Sequence, residues 1–187
     1  MADGLFYNDL REPFIGADIA AVTLLTTDLA LYPAANFPVL GGQYFGRIGK
    51  KLKIRLFGRM TTGATPGNLV FDVYYGDGTA ANGTLLASSL STTALVASKT
   101  NLSWMLETTV HCRSLGATGT LFCTGYALMN VGLVLSTAQP ILIPDSAAVV
   151  SGSCDLTVAK IISVQAKRSG STAETMQVHD MEVVAMN

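Results

Sequence analysis

The chain carries few side chains of the kinds that catalyse reactions or bind metals, and those it has are scattered. It contains two histidines and three cysteines in 187 residues. His111 lies on the polar face of a predicted strand, and His179 precedes Asp180 in the last one. Neither histidine stands at metal-ligand spacing from a cysteine, and there is no C-x-x-C pair. We therefore expect a protein with no bound metal or cofactor.

Signals for acid, base or nucleophilic catalysis are equally weak. The G-x-S-x-G turn that exposes a catalytic serine is absent. Nothing marks any two of the strand carboxylates as a pair for glycoside cleavage. Asp77 in "YYGDGTAANG" resembles only a fragment of a calcium loop, since the repeated acids and the terminal glutamate are missing. We expect a non-enzymatic protein. The carboxylates considered were Asp72, Glu107, Asp155 and Glu182.

The three cysteines, Cys112, Cys123 and Cys154, are expected to be buried free thiols. Their odd number and the lack of a secretory leader favour synthesis in a reducing compartment, the cytoplasm. Cys112 and Cys123 flank a predicted turn, so a pairing across a hairpin stays open.

The highest density of positive charge lies in "KKLKIRLFGRM", residues 50–60. Cationic and apolar side chains alternate here, which predicts a β-strand with one face in a core and the other in water. The outward cations form a basic strip, Lys51, Lys53, Arg55 and Arg59. Phe57 is the one aromatic side chain among them, too few for the stacking surface of a single-strand nucleic-acid binder. We expect the strip to contact another protein or the chain's own acidic N-terminal segment.

The composition favours an assembly protein. Charged residues make up 13% of the chain and hydrophobic residues 49%, with a mean hydropathy of +0.40, whereas an average globular chain carries about 25% charge. Part of the uncharged surface is therefore expected to be buried by partners. The net charge of −1 gives no general attraction to nucleic acid or to a membrane. No apolar run reaches the ~20 residues of a membrane-spanning helix.

Residues 1–40 are predicted to form an extended N-terminal arm. Three prolines divide this segment, and it shows no clean period. It is nevertheless too apolar for a disordered tail, and residues 1–28 hold five acids against Arg11 alone. An arm that docks on a partner would account for both its apolar side chains and its excess of acids. The apolar side chains expected at that interface are Leu5, Phe6, Tyr7, Leu10 and Phe14.

From residue 41 to residue 187 the chain shows strand patterns separated by turn residues. "NLSWMLETTVHCRS" and "TLFCTGYALMN" predict a hairpin, with Trp104 facing the core. Tyr74 and Tyr75 must point to opposite faces of their strand, so we expect at most one of them in the core and the other as a candidate for a contact surface. The apolar parity changes in the last strand, which predicts a bulge near His179 and Asp180. Without a convincing long helix, these strands predict an all-β, antiparallel β-sandwich that is jelly-roll-like.

Four segments taken in order resemble a group of tailed-bacteriophage virion proteins. They are "IGKKLKIRLFG" (48–58), "TPGNLVFDVYYG" (65–76), "NLSWMLETTVHCRSLGATGTLFCTG" (101–125) and "SVQAKRSGSTAETMQVHDMEVVAMN" (163–187). Similar proteins are jelly-roll capsid decoration (cement) proteins or tail appendages. The resemblance implies a structural subunit on the capsid exterior of the virion, one that binds and stabilises the assembled head.

The partners implied by this resemblance are the major capsid protein lattice and further copies of the chain, as a trimer. It implies no catalytic residue. The net charge, the basic strip and the lack of a long apolar run lead us to expect no nucleic-acid and no membrane partner. A tail-fibre or receptor-binding module that recognises a host surface stays open as the alternative function.

Overall fold

The computed structural model describes residues 17–80, 82–90, 93–134, 140–145 and 153–186. Within these ranges the chain forms eleven β-strands and a short 3₁₀ turn at Ala34–Asn36. The strands are β1 (Val22–Thr23), β2 (Leu29–Ala30), β3 (Lys51–Thr61), β4 (Asn68–Gly76), β5 (Thr84–Ser88), β6 (Thr93–Ala94), β7 (Leu102–Ser114), β8 (Thr120–Met129), β9 (Ile141–Ile143), β10 (Ile161–Arg168) and β11 (Thr175–Met186).

The strands form two antiparallel sheets with the topology of a jelly roll. One sheet has six strands in the order β1-β11-β3-β7-β8-β9, and the other has five, in the order β2-β10-β4-β5 with β6 paired to β4. The eight strands other than β6, β8 and β9 can be numbered first to eighth along the chain. They then lie in the order first-eighth-third-sixth in one sheet and second-seventh-fourth-fifth in the other. This is the order of a double-sheet jelly roll. The predicted fold class is confirmed.

The period-two alternation of β3, a central strand of the six-stranded sheet, explains which of its side chains face the core. Leu52, Ile54 and Leu56 are fully buried on its inner face, while the cations of the basic strip point outward. The core lies between the sheets, where the rings of Phe71 on β4 and Trp104 on β7 lie 6.1 Å apart between centroids. The predicted core position of Trp104 is thereby confirmed.

Three smaller predictions can be compared with the structure. The register between β11 and β3 shifts between Val178 and Asp180, which confirms the predicted bulge. All three cysteines are free and buried, so the open pairing of Cys112 with Cys123 is not formed. Tyr75 packs in the core, as expected for one of the two adjacent tyrosines, but Tyr74 on the other face is also buried and marks no exposed contact surface.

The described part of the predicted N-terminal arm belongs to the sandwich. β1 pairs with β11, and β2 pairs with β10. Leu31 and Tyr32 are at most 2% exposed. The Tyr32 hydroxyl donates a hydrogen bond to the carbonyl of Ile162 and accepts one from the N–H of Val164, each at 3.0 Å. The boundary predicted at residue 40 therefore does not divide the described structure, because residues 17–40 supply two strands and core side chains.

An ion-paired cluster holds the start of β2 against β4 and β10. Lys167 Nζ lies 3.1 Å from Asp28 Oδ1 and 2.7 Å from Asp72 Oδ2. The Tyr74 hydroxyl donates to Asp28 Oδ2 at 2.8 Å. Burial and the adjacent Asp28 carboxyl raise the pKa of Asp72. Burial also opposes ionisation of Asp28, but the hydrogen bonds this carboxyl makes outweigh it and lower its pKa. Lys167 supplies the compensating charge for both acids.

Replacing Lys167 with Met should therefore destabilise the fold. Among the described residues it is the one cation that contacts these carboxylates, and Asp72 is 1% exposed. We expect a loss of about 3 kcal/mol in the free energy of unfolding, the low end for breaking a buried ion pair, because Lys167 is partly exposed. Urea denaturation measures it. The control Lys99→Met, at a lysine outside the ion pairs of the described residues, should change stability by less than about 0.5 kcal/mol. Equal losses for the two variants would contradict the assigned role of Lys167.

Candidate interaction surface on the six-stranded sheet

The outer face of the six-stranded sheet collects the side chains that alternate away from the core on β11, β3, β7 and β8. On β3 this face carries the basic strip and Phe57. Lys51, Lys53 and Arg55 are partly buried, whereas Phe57 and Arg59 are exposed. The structure thus places all four predicted cations on one side of one strand, where consecutive outward positions lie about 7 Å apart.

The middle of the basic strip is neutralised by neighbouring strands. Lys53 Nζ lies 3.0 Å from Glu107 Oε1, and Arg55 Nε lies 2.5 Å from Glu107 Oε2. On the other side, Arg55 Nη1 lies 3.2 Å from Glu182 Oε2. Both acids stand directly opposite Arg55 in register, Glu107 on β7 and Glu182 on β11. Cross-strand pairing of opposite charges stabilises a sheet, so these charges serve the fold as well as the surface.

The described acids of the N-terminal segment do not contact the strip. Asp18 Oδ1 lies 2.9 Å from His179 Nδ1, and Asp28 pairs with Lys167. The expected pairing of the strip with the chain's own acidic segment is therefore wrong for these two acids, because the sheet register brings Glu107 and Glu182 closer.

The apolar interface residues predicted in the arm lie outside the described residues, so their role stays a prediction. They are Leu5, Phe6, Tyr7, Leu10 and Phe14. The acids Asp3, Asp9 and Glu12 lie outside the described residues as well.

The two ends of the strip differ from its middle. Arg59 Nη1 donates a hydrogen bond to the backbone carbonyl of Asn101 at 3.3 Å. Neither Lys51 nor Arg59 takes part in an ion pair of the described residues. The strip therefore consists of a paired centre, Lys53 and Arg55, between two cations whose charge remains available to a partner.

An apolar row crosses the same face beside the ion pairs. Phe57 stands opposite Met105, which stands opposite Leu128 on β8. Phe57 is 39% and Leu128 41% exposed, large fractions for such side chains on a sheet. Two open grooves of about 360 and 310 Å³ meet at this row, and both are lined by Phe57, Ser103 and Trp104. Apolar anchors bordered by polar and charged groups are typical of a protein–protein contact surface.

Sequence patterns alone did not bring this apolar row together. Met105 occupies an outward position of a strand whose outer side is mostly polar, and Phe57 stands alone among cations. Leu128 belongs to another strand. Only the pairing of β3 with β7 and of β7 with β8 makes the three side chains neighbours.

The described residues hold no group of three or more side chains suited to bind a metal ion. The described part of the chain also contains no helix that is both long and apolar enough to cross a membrane.

The strand order defines the fold class, an all-β jelly-roll sandwich, and its six-stranded sheet has a mixed apolar and charged outer face. No model of a protein family matches the chain, and no curated protein matches its sequence.

The Glu107 ion pairs predict a specific pH dependence of stability. The hydrogen bond from Arg55, helped by Lys53, lowers the pKa of Glu107 against the opposing effect of burial. Because folding lowers its pKa, the ionised Glu107 stabilises the fold at pH values above its unfolded-state pKa of about 4.3. This stabilisation is lost as the pH falls through the folded-state pKa. Glu107→Gln should reduce the free energy of unfolding by about 1–2 kcal/mol at neutral pH.

Urea titrations of this variant and the natural chain at neutral and strongly acidic pH measure the effect. We expect the difference between the two proteins to disappear in acid. Glu182→Gln is the control, since this half-exposed acid has one ion-pair partner and should contribute less than about 0.5 kcal/mol. A Glu107→Gln difference that does not vary with pH would rule out the electrostatic explanation.

Proposed function

We propose that this chain is a non-enzymatic structural subunit of a tailed-phage virion, a decoration protein that binds the outside of the assembled head. The observation that carries the proposal is the outer face of the six-stranded sheet, where the exposed Phe57 and Leu128, with the partly buried Met105 between them, border an ion-paired row. The resemblance of four sequence segments to virion proteins points to the same class.

The two rows of this face would have different roles in binding. Burial of apolar surface supplies about 25 cal/mol per Å², so Phe57 and Leu128 would act as anchors. The cations at the ends of the strip, Lys51 and Arg59, would orient the subunit by charge complementarity and speed its association. A subunit that binds only the assembled shell stabilises that shell by mass action.

The environments of the carboxylates favour a structural role over hydrolysis. Asp72, Glu107 and Glu182 each contact a cation. Asp155 Oδ1 accepts a hydrogen bond from the Thr157 hydroxyl within a turn, at 2.6 Å. An acid–base pair for glycoside cleavage needs one carboxyl held protonated near a second, ionised one at a substrate site. Asp72 and its neighbour Asp28 come nearest to such a pair, but Asp72 is 1% exposed and Lys167 bridges both carboxylates, so they do not form a substrate site. The four acids have structural partners instead, which supports the proposal of a binding protein.

The apolar row can be tested with a double variant, Phe57→Ser with Leu128→Ser. We expect this change to leave the fold intact, because both side chains point away from the core, and to weaken binding to empty capsids roughly thirtyfold, from a loss of about 2 kcal/mol. Co-sedimentation with purified capsids and, separately, with tails measures binding. The control is Leu85→Ser, an equally exposed leucine on the five-stranded sheet, which should bind like the natural chain.

Two outcomes would count against the proposal. Full capsid binding by the double variant would show that another surface carries the contact. Binding of the natural chain to tails or host envelopes but not to capsids would replace the proposed function with recognition of a host surface. A salt series adds a further distinction, because exposed charge contacts weaken as screening increases whereas apolar contacts do not.

A truncation that tests the N-terminal arm must end well before residue 40, because residues 17–40 contribute β1 and β2 to the sandwich. Removing residues 1–16 keeps β1 and β2, so we expect the remaining chain to fold and to bind capsids more weakly than the full chain. Thermal unfolding and the same co-sedimentation assay measure these two properties. Removing residues 1–30 deletes both strands and should lower the melting temperature. Full capsid binding after removal of residues 1–16 would exclude an anchoring role for that segment.

A further inference from the structure

A groove of about 340 Å³ opens at the end of the outer face opposite to the apolar row. Its lining includes Lys51 on β3, His111 and Arg113 on β7, and the backbone at Gly49. Lys51 and His111 stand directly opposite each other in register, where outward side chains start only about 5 Å apart. Arg113 follows two residues later on the same strand. One imidazole and two permanent cations therefore share one concave site.

The positive charge in this groove has no compensating carboxylate among the described residues. Lys51 and Arg113 are absent from all the ion pairs found there. Lys53 and Arg55, farther along the same strand, share Glu107. The difference follows from the register, since the residues opposite Lys51 are His111 on one side and Met186 on the other.

Phe122 on β8 holds two of the groove's side chains in place. The guanidinium carbon of Arg113 lies 4.7 Å from the centroid of the Phe122 ring, a cation–π contact. The His111 ring meets the same phenyl ring edge to face, with 5.7 Å between centroids. Side chains that are already ordered lose less conformational entropy when a ligand binds.

The electrostatic state of His111 reflects the unmatched charge around it. Burial, Lys51 and Arg113 together lower the pKa of this imidazole, so it is mostly neutral at neutral pH. The charged groups that face it are Lys51 from β3 and Arg113 from its own strand, while β8 contributes the uncharged Phe122. An anion in the groove would reverse the repulsion and favour the protonated imidazole.

We propose that the groove formed by Lys51, His111 and Arg113 binds a tetrahedral oxyanion, a phosphate or sulfate group. Two permanent positive charges match a dianion, whereas a single carboxylate would leave one of them uncompensated. The four oxygens of such a group can accept hydrogen bonds from an ammonium, a guanidinium and an imidazole at once. This site is separate from the apolar row. It shares Lys51 with the cations proposed to orient the subunit on the capsid, but anion binding is measured on the isolated chain and so does not depend on capsid binding.

Calorimetric titration of the full chain at constant ionic strength tests the proposal. The probes are inorganic phosphate, sulfate, methyl phosphate, dimethyl phosphate and acetate. We expect saturable binding of phosphate and sulfate, and weaker binding of acetate and of the monoanionic diester. Lys51→Met and Arg113→Gln should each weaken phosphate binding roughly tenfold or more, the effect of one charge-assisted hydrogen bond. Arg59→Gln, on the same face but outside the groove, should bind phosphate like the natural chain.

The pKa of His111, measured by NMR, gives a second test of the proposal. Because the anion favours the protonated imidazole, sulfate should raise the pKa of His111 seen by NMR and should bind more tightly as the pH falls. Sulfate suits this series since its own charge does not change near neutral pH. Equal affinity for inorganic and methyl phosphate would indicate a phosphoryl group carried by a larger molecule, and loss of binding with the ester would indicate free phosphate.

The proposal is overturned by three results. They are acetate binding as tightly as phosphate, phosphate affinity unchanged in Lys51→Met and Arg113→Gln variants that melt like the natural chain, and sulfate leaving the His111 pKa where it was. Capsid binding can succeed or fail independently of each of these results, so the two proposals are tested separately.

Discussion

The structure depends on the pairing of β3 with β11 on one side and β7 on the other. This pairing fixes which residues of the central strand face inward. Because apolar and cationic side chains alternate along β3, only its apolar side can face the core. A slip of one residue would expose Leu52, Ile54 and Leu56 and bury the cations of the basic strip. Burying unpaired cations is strongly unfavourable. The core and the outer surface are therefore specified by a single register.

That register also divides the outer face into regions of different chemistry. Opposite Phe57 it places Met105, and opposite Arg55 it places two acids. Opposite Lys51 it places His111 and Met186, so among the described residues the groove at His111 has no ion-paired carboxylate. An apolar row, an ion-paired row and a cationic groove thus follow one another along a few residues of strand. The strand β3 alone would suggest a uniform band of positive charge.

A jelly roll by itself does not define a function, since many unrelated proteins use it. What narrows the function is the way polar groups are used. The buried Asp72 is paired with the partly exposed Lys167, which also pairs with Asp28 next to β2. On the outer face, Glu107 and Glu182 both pair with Arg55. The outer face of the six-stranded sheet leaves further groups available to other molecules. They suit binding, through apolar anchors at one end and positive charge at the other.

The sequence by itself determined the strands with strong period-two patterns, because alternation is a local property of the chain. The sequence pattern was sufficient to predict β3, the β7–β8 hairpin, the bulge near His179 and the inward position of Trp104. It did not find β1 and β2, since two residues carry no measurable period. It also did not find the partners of the cations, because Arg55 meets acids 52 and 127 residues away. Which side chains become neighbours across strands depends on strand order and register, and only the tertiary structure decides those.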